Sequence, residues 1–321
     1  MKRLTAKTLR GVWAGVTMSW DKEYRFDTDS YAANVESTCR AGVHGVYTTG
    51  STGEFYALDF SDFKQMVDIE SAICGRHGMP LQIGCNADNT RESVRLLEYA
   101  AGKPEVGAAQ VVVPYWMEVT DREMLQFFKD LYKACPKLPL VHYNVPRAKR
   151  FLNGAEYQRI KEVAPSLIGV KYTYAGAHFG DLQSAMMMNP DISFFVAEPM
   201  MASYMMLGAR GTYSSLVFTN PNFMLTFYDH AARGRWESAI AMQKTAHRFY
   251  EDMVPFVQGL GEGVMDPVFD KGLAKAAGSI VGSQRIRPPY IGWSDATVTA
   301  VRRRLHERWP RFLNPNVKKG K

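Results

Sequence analysis

LPLVHYNVPRAKRFLNGAEYQRIKEVAPSLIGVK, residues 138–171, reads as strand, helix, strand. Leu138–Tyr143 and Leu167–Lys171 are short apolar runs of strand length. Between them, Asn153-Gly154-Ala155-Glu156 matches a capping box. In that motif a side-chain oxygen and a glutamate three residues on satisfy free amides at a helix start. A strand feeding a helix that delivers the next strand is a βαβ unit with parallel strands.

The same rhythm extends outward in both directions. Strands are predicted at Gly11–Thr17, Gly45–Thr48, Leu81–Cys85, Ala109–Val113, Ser193–Ala197 and Gly211–Ser214. Further capping boxes stand at Asn89-Thr90-Arg91-Glu92 and Thr120-Asp121-Arg122-Glu123. Met124, Phe128, Leu131 and Tyr132 repeat at helical spacing after the second of these. Eight strands alternating with helices predict an α/β chain folded as a (β/α)8 TIM barrel over residues 1–233. Helical patterns at 222–233, 235–257, 267–280 and 294–308 follow, and residues 234–321 are read as a C-terminal helical region. An open dinucleotide-binding sheet fits less well. The first strand runs into Thr17-Met18-Ser19-Trp20 without a glycine-rich turn, and Gly259-Leu260-Gly261-Glu262-Gly263 follows a helical stretch rather than a strand.

Composition narrows the function classes. With 46% hydrophobic and 22% charged residues, the chain has material for a large core. The net charge of +7 is dispersed, and its densest cluster, Arg302-Arg303-Arg304, reads as a solvated helix face, so no nucleic-acid partner is expected. The tail Lys318-Lys319-Gly320-Lys321 reads as a frayed end. Four cysteines without metal or CxxC spacing read as core residues of a reducing compartment. The first residues lack the apolar core of a signal peptide, and no run of about eighteen apolar residues spans a membrane. A cytoplasmic location is expected.

In a barrel of this kind, reacting groups sit at the C-terminal ends of the strands. Lys171 ends an otherwise apolar strand. It is either a solvated strand end or a lysine walled by apolar side chains. Burial of the second kind disfavours the ammonium form and frees an amine to attack a ketone as a Schiff-base nucleophile. Tyr143 ends the neighbouring strand one unit earlier, as a core tyrosine or as a phenol that shuttles protons. Asn144 and Pro146 read as structural, and His142 should face the opposite side of its strand. Tyr47-Thr48-Thr49-Gly50-Ser51-Thr52-Gly53-Glu54-Phe55 follows the second strand. Its two glycines free the backbone to turn, and its hydroxyls and amides suit an anion. No HExxH, no close histidine spacing and no G-x-S-x-G elbow competes with this set.

Taken together, Gly50-Ser51-Thr52-Gly53-Glu54, Tyr143-Asn144-Val145-Pro146 and Gly169-Val170-Lys171 resemble the dihydrodipicolinate synthase/N-acetylneuraminate lyase family over nearly the whole chain. The resemblance implies a lyase of class I aldolase type, acting on pyruvate or another 2-oxo acid and an aldehyde, as a homotetramer without cofactor or metal. By it, Lys171 forms the Schiff base and Tyr143 relays protons. Ser51 and Thr52 hold the 2-oxo acid carboxylate, Thr17 lies near the site, Tyr213 adds an apolar wall and Glu198 a polar contact.

The departures bear on the second substrate. Where dihydrodipicolinate synthases carry a carboxylate-binding arginine, this chain has Ala148, flanked by Arg147 and Lys149. Where they carry a second relay tyrosine, it has Trp116, which stacks on flat or apolar groups but cannot relay a proton as a phenol does. Both changes argue against lysine biosynthesis. Val113-Pro114-Tyr115-Trp116-Met117 resembles the matching loop of hydratase-aldolases that act on aromatic pyruvate adducts. Two other readings stay open here: a dehydratase or deaminase of a 2-oxo sugar acid, and a non-catalytic 2-oxo acid binding protein.

Overall fold

The structure, a computed structural model, describes residues 2–173 and 179–313. Eight strands run β1 Gly11–Gly15, β2 Gly45–Tyr47, β3 Leu81–Gly84, β4 Val106–Val111, β5 Leu140–Asn144, β6 Leu167–Tyr172, β7 Ser193–Val196 and β8 Gly211–Ser214. All pair in parallel, each with its neighbour in sequence, and β1 with β8 closes the barrel. The TIM barrel read from the strand rhythm is therefore the observed fold. Strand limits differ by a few residues. β4 begins at Val106 rather than Ala109, and β1 ends at Gly15 rather than Thr17.

The helices are α1 Thr28–Arg40, α2 Phe60–His77, α3 Thr90–Ala101, α4 Asp121–Ala134, α5 Gly154–Val163, α6 Phe179–Met188, α7 Met201–Met205, α8 Pro221–Ala232, α9 Trp236–Gly259, α10 Val268–Ala277 and α11 Asp295–Arg308. Thr120 and Asn153 form full capping boxes, whereas at Asn89 the side chain accepts from the Glu92 amide alone. α9 packs on α7 and α8, and α10 packs on α11. None of these helices is long and apolar enough to cross a membrane. The arginine run of α11 is less solvated than its composition suggests, since Arg302 bonds the Ala276 carbonyl and Arg304 pairs with Asp252. The lysine-rich tail lies outside the described residues.

Strand alternation sorts the side chains into two cores. Val12, Ala14, Val46, Ala109, Leu140 and Val170 point outward and meet the helices. Trp13, Tyr47, Ala108, Val141, Phe195 and Tyr213 fill the barrel axis. Trp13 is too large for an ordinary neighbour, and Gly45, opposite it in register, makes the room. A Cβ there would lie 2.5 Å from the indole ring. By the same alternation Tyr143 and Lys171 point inward, one layer above Val141 and Gly169. They are register partners across β5 and β6.

Candidate active site

Lys171 lies at the inner end of β6, buried, among three phenol rings. Its Nζ is 4.3 Å from the ring centre of Tyr143, 4.8 Å from that of Tyr47 and 5.4 Å from that of Tyr213. Burial pulls its pKa down to about 8, while the facing carboxylates of Asp266, Asp270 and Glu198 hold it up. The amine thus stands near the boundary between its charged and nucleophilic forms at neutral pH. Tyr143 is pushed above the usual phenol range, first by burial and then by Asp266, so its hydroxyl keeps its proton. Ser51 Oγ lies 3.1 Å from that hydroxyl. Tyr213 donates to Gln82 at 2.7 Å, and Gln82 in turn donates to Gln110, which fixes the wall on the far side.

The loop after β2 carries Ser51 and Thr52 into this space. Gly50 is its nearest point, since a Cβ there would sit 3.7 Å from Lys171 Nζ. The residues with left-handed backbone are Thr49 (φ 48°) and Glu54 (φ 50°), not the glycines. Gly53 is needed for a different reason: a Cβ would come within 2.6 Å of the Thr49 amide nitrogen. Glu54 anchors the loop. It is fully buried, 2.5 Å from Lys271 of α10, and accepts from Trp20 Nε1 and the Arg287 amide at 2.8 and 3.0 Å. Removing one partner of a buried ion pair strands the other charge. Lys271→Met is expected to cost about 3–5 kcal/mol in urea denaturation and to weaken 2-oxo acid binding, with Glu54→Gln on the same chain restoring part of the stability.

The remaining sequence-derived residues fall in different places. Asn144 holds the turn after β5 through paired bonds to Leu152, and His142 faces outward to Tyr157 at 2.9 Å. Glu198 is buried beneath the site and accepts the Ser215 and Leu216 amides, so it braces the turn after β8. Thr17 lies apart, lining a small cavity with Asn34 and Val217. Trp116 is 75% exposed, with Lys149 over its ring and bonded to its carbonyl. Of the two cations flanking Ala148, Arg147 turns inward and Lys149 outward.

Two carboxylates that sequence reasoning missed complete the mouth. Asp266 lies 2.7 Å from Arg147, and Asp270 accepts from Thr52 Oγ1 at 2.6 Å. Burial raises Asp266, but its pairing with Arg147 outweighs this and holds it below the ordinary range. Asp270 is pushed up to about 7, by burial first and by the charge of Asp266 next. One signal could have found them. They stand four residues apart in an apolar segment, one just before α10 and one in its first turn. Among the described residues no three His, Cys, Asp or Glu side chains converge as a metal site.

The groups surround two adjoining cavities. One, of about 470 Å³, holds Lys171, Thr52, Tyr47, Tyr213 and Asp270. The other, of about 390 Å³, is walled by Phe55, Tyr56, Tyr115, Met265, Val268 and Tyr290. Tyr143, Arg147 and Asp266 border both. The arrangement suits a small anionic ketone at Lys171 and a less polar body beside it.

A sequence model of the dihydrodipicolinate synthetase family matches residues 8–306. The chain is 29% identical over 220 residues to the 4-hydroxy-tetrahydrodipicolinate synthase of Methanospirillum hungatei, covering 66% of this chain and 72% of that protein. It is 25% identical over 250 residues to the N-acetylneuraminate lyase of Rhizobium meliloti, covering 77% and 81%. Among solved structures, a prophage protein of the dihydrodipicolinic acid synthase family from E. coli K12, in complex with pyruvate, superposes with a TM-score of 0.81 at 20% identity, over 93% of this chain and 98% of that one.

Proposed function

Because the chain belongs to the dihydrodipicolinate synthetase family, we propose that it is a Schiff-base lyase that makes or cleaves a carbon–carbon bond next to a 2-oxo acid, pyruvate in the first instance. The observation that carries this reading is the buried Lys171, its pKa lowered to about 8, in register with Tyr143, whose hydroxyl is 3.1 Å from Ser51. A neutral amine in that position attacks the ketone carbon and expels water, with protons supplied by a neighbouring phenol. The iminium then draws electrons from the adjacent carbon, so an aldehyde is added there or released. Ser51 and Thr52 hold the carboxylate.

The aromatic walls of the second cavity, with Ala148 buried among them, support an aldehyde with an apolar or aromatic body over one bearing a carboxylate. The same reading carries a homotetramer and a cytoplasmic location. Trp116, exposed on the single chain, is a residue such an assembly would cover, and four buried free cysteines fit a reducing compartment.

Incubation with pyruvate and borohydride is expected to add a reduced pyruvate to Lys171, located by peptide mass. Aromatic aldehydes should then consume pyruvate at least ~10-fold faster than aspartate semialdehyde, an ordering set by one apolar-ring contact worth at least ~1.4 kcal/mol. No adduct with any small 2-oxo acid would sink the proposal. Faster consumption of aspartate semialdehyde would reverse the assignment of the second cavity.

A further inference from the structure

We propose that Asp270 positions Thr52 for the substrate carboxylate, and that it takes up a proton when the 2-oxo acid enters; this rests on the Schiff-base reading above. The argument begins with Thr52. Its hydroxyl has one proton, and that proton is given to Asp270 Oδ2 at 2.6 Å. It cannot serve a second carboxylate at the same time. Either Thr52 turns away and leaves Asp270 facing an anion, or the direction of the bond reverses. In the reversed arrangement Asp270 carries a proton and donates to Thr52 Oγ1, and Thr52 donates to the substrate. No bond other than O–H is made or broken, and the proton comes from solvent.

Charge bookkeeping favours the second arrangement. Facing Asp270 are Asp266, Glu198, Lys171, Arg147 and the phenols of Tyr47, Tyr143 and Tyr250. Three carboxylates stand against two cations, one of which must lose its proton to react. A substrate anion adds to an existing excess, so one acid is driven to protonate.

The partners decide which acid. Asp266 is held by the Arg147 guanidinium, which stays charged, with the Ser51 hydroxyl beside it. Glu198 is held by the Ser215 and Leu216 amides, which can only donate. Asp270 is held by the hydroxyls of Thr52 and Ser215, which can turn and accept. Asp270 is met by hydroxyls and by neither guanidinium nor amide, so the partners it has can turn to accept a new proton. Its pKa of about 7 makes that proton available at little cost.

The sign follows. Below pH 7 Asp270 is already protonated and affinity is flat. Above pH 7 each binding event draws a proton from solvent, and affinity falls as pH rises. In wild type, the pyruvate concentration that half-saturates borohydride trapping is expected to rise about tenfold from pH 6 to pH 8. The amide of Asp270→Asn donates at every pH, so that variant should bind as wild type does at pH 6. It should then rise less than about threefold by pH 8, the remainder coming from Lys171. Parallel rises in the two proteins, or loss of pyruvate binding by the variant at pH 6, would overturn the proposal. If Asp270→Asn does not fold, calorimetry on wild type carries the test. Pyruvate binding at pH 7 in two buffers of different ionisation enthalpy should show uptake of about half a proton, and no uptake overturns it. A wild type that forms no adduct at any pH gives a separate result, the failure of the 2-oxo acid reading itself.

Discussion

Lys171→Ala is expected to form no borohydride-stable adduct with pyruvate and to turn over at least ~10⁴-fold more slowly than wild type. The size of the effect follows from what the amine does. It is the covalent electron sink, and the surrounding phenols and hydroxyls orient a reaction that has no other route. The pH profile should carry the same signature. At saturating 2-oxo acid, the rate of imine formation follows the neutral fraction of Lys171. It rises up to tenfold per unit as pH approaches about 8 and levels off above it. A limb that stays at the ordinary lysine range in wild type would mean that Lys171 is solvated, and the nucleophile assignment would fall with it.

How far the sequence leads depends on the range of the contacts. The barrel is legible because each βα unit is written locally. The run from Leu138 to Lys171 contains both strands, the cap at Asn153 and the apolar faces that bury them. Tyr143 and Lys171 are legible as a pair because consecutive parallel strands are neighbours, and inward-pointing ends must meet. Asp266 and Asp270 are not legible in that way. They enter the mouth from the turn before α10 and from its first helical turn, long after the last strand, and nothing in their local pattern says which surface α10 covers. Thr17, Glu198 and Trp116 show the converse. The family resemblance gives each a place at the site, but local backbone decides where the side chain goes. Thr17 lines a cavity of its own, Glu198 braces backbone amides, and Trp116 is turned out under Lys149. The loop of Ser51 was legible as an anion cradle, yet its left-handed residues are Thr49 and Glu54. Their buried partners lie on other segments, Lys271 for Glu54 and Gly84 with Asn86 for Thr49.

Tyr143→Phe is expected to lower turnover by about 10²–10⁴-fold while leaving pyruvate able to load on Lys171. The substitution keeps the ring that packs 4.3 Å from Lys171 Nζ and removes only the hydroxyl. Imine formation therefore slows but still reaches the trapped adduct. The steps that need a proton at a fixed point lose it: dehydration to the iminium, and proton transfer at the adjacent carbon and the substrate oxygen. Exchange of the pyruvate methyl protons with deuterated water isolates the second of these without any aldehyde, and it should fall with turnover. Ser51→Ala should produce a smaller loss of the same kind, because Ser51 touches Tyr143 at 3.1 Å rather than the reacting carbon. The phenol cannot act as a lone base, since burial and Asp266 keep it protonated. It has to pass one proton on as it receives another, and Ser51 is the group within reach to do so. If Tyr143→Phe exchanges methyl protons at the wild-type rate, the relay runs through another group, and the hydroxyl of Tyr47, which also rings Lys171, is the next to remove.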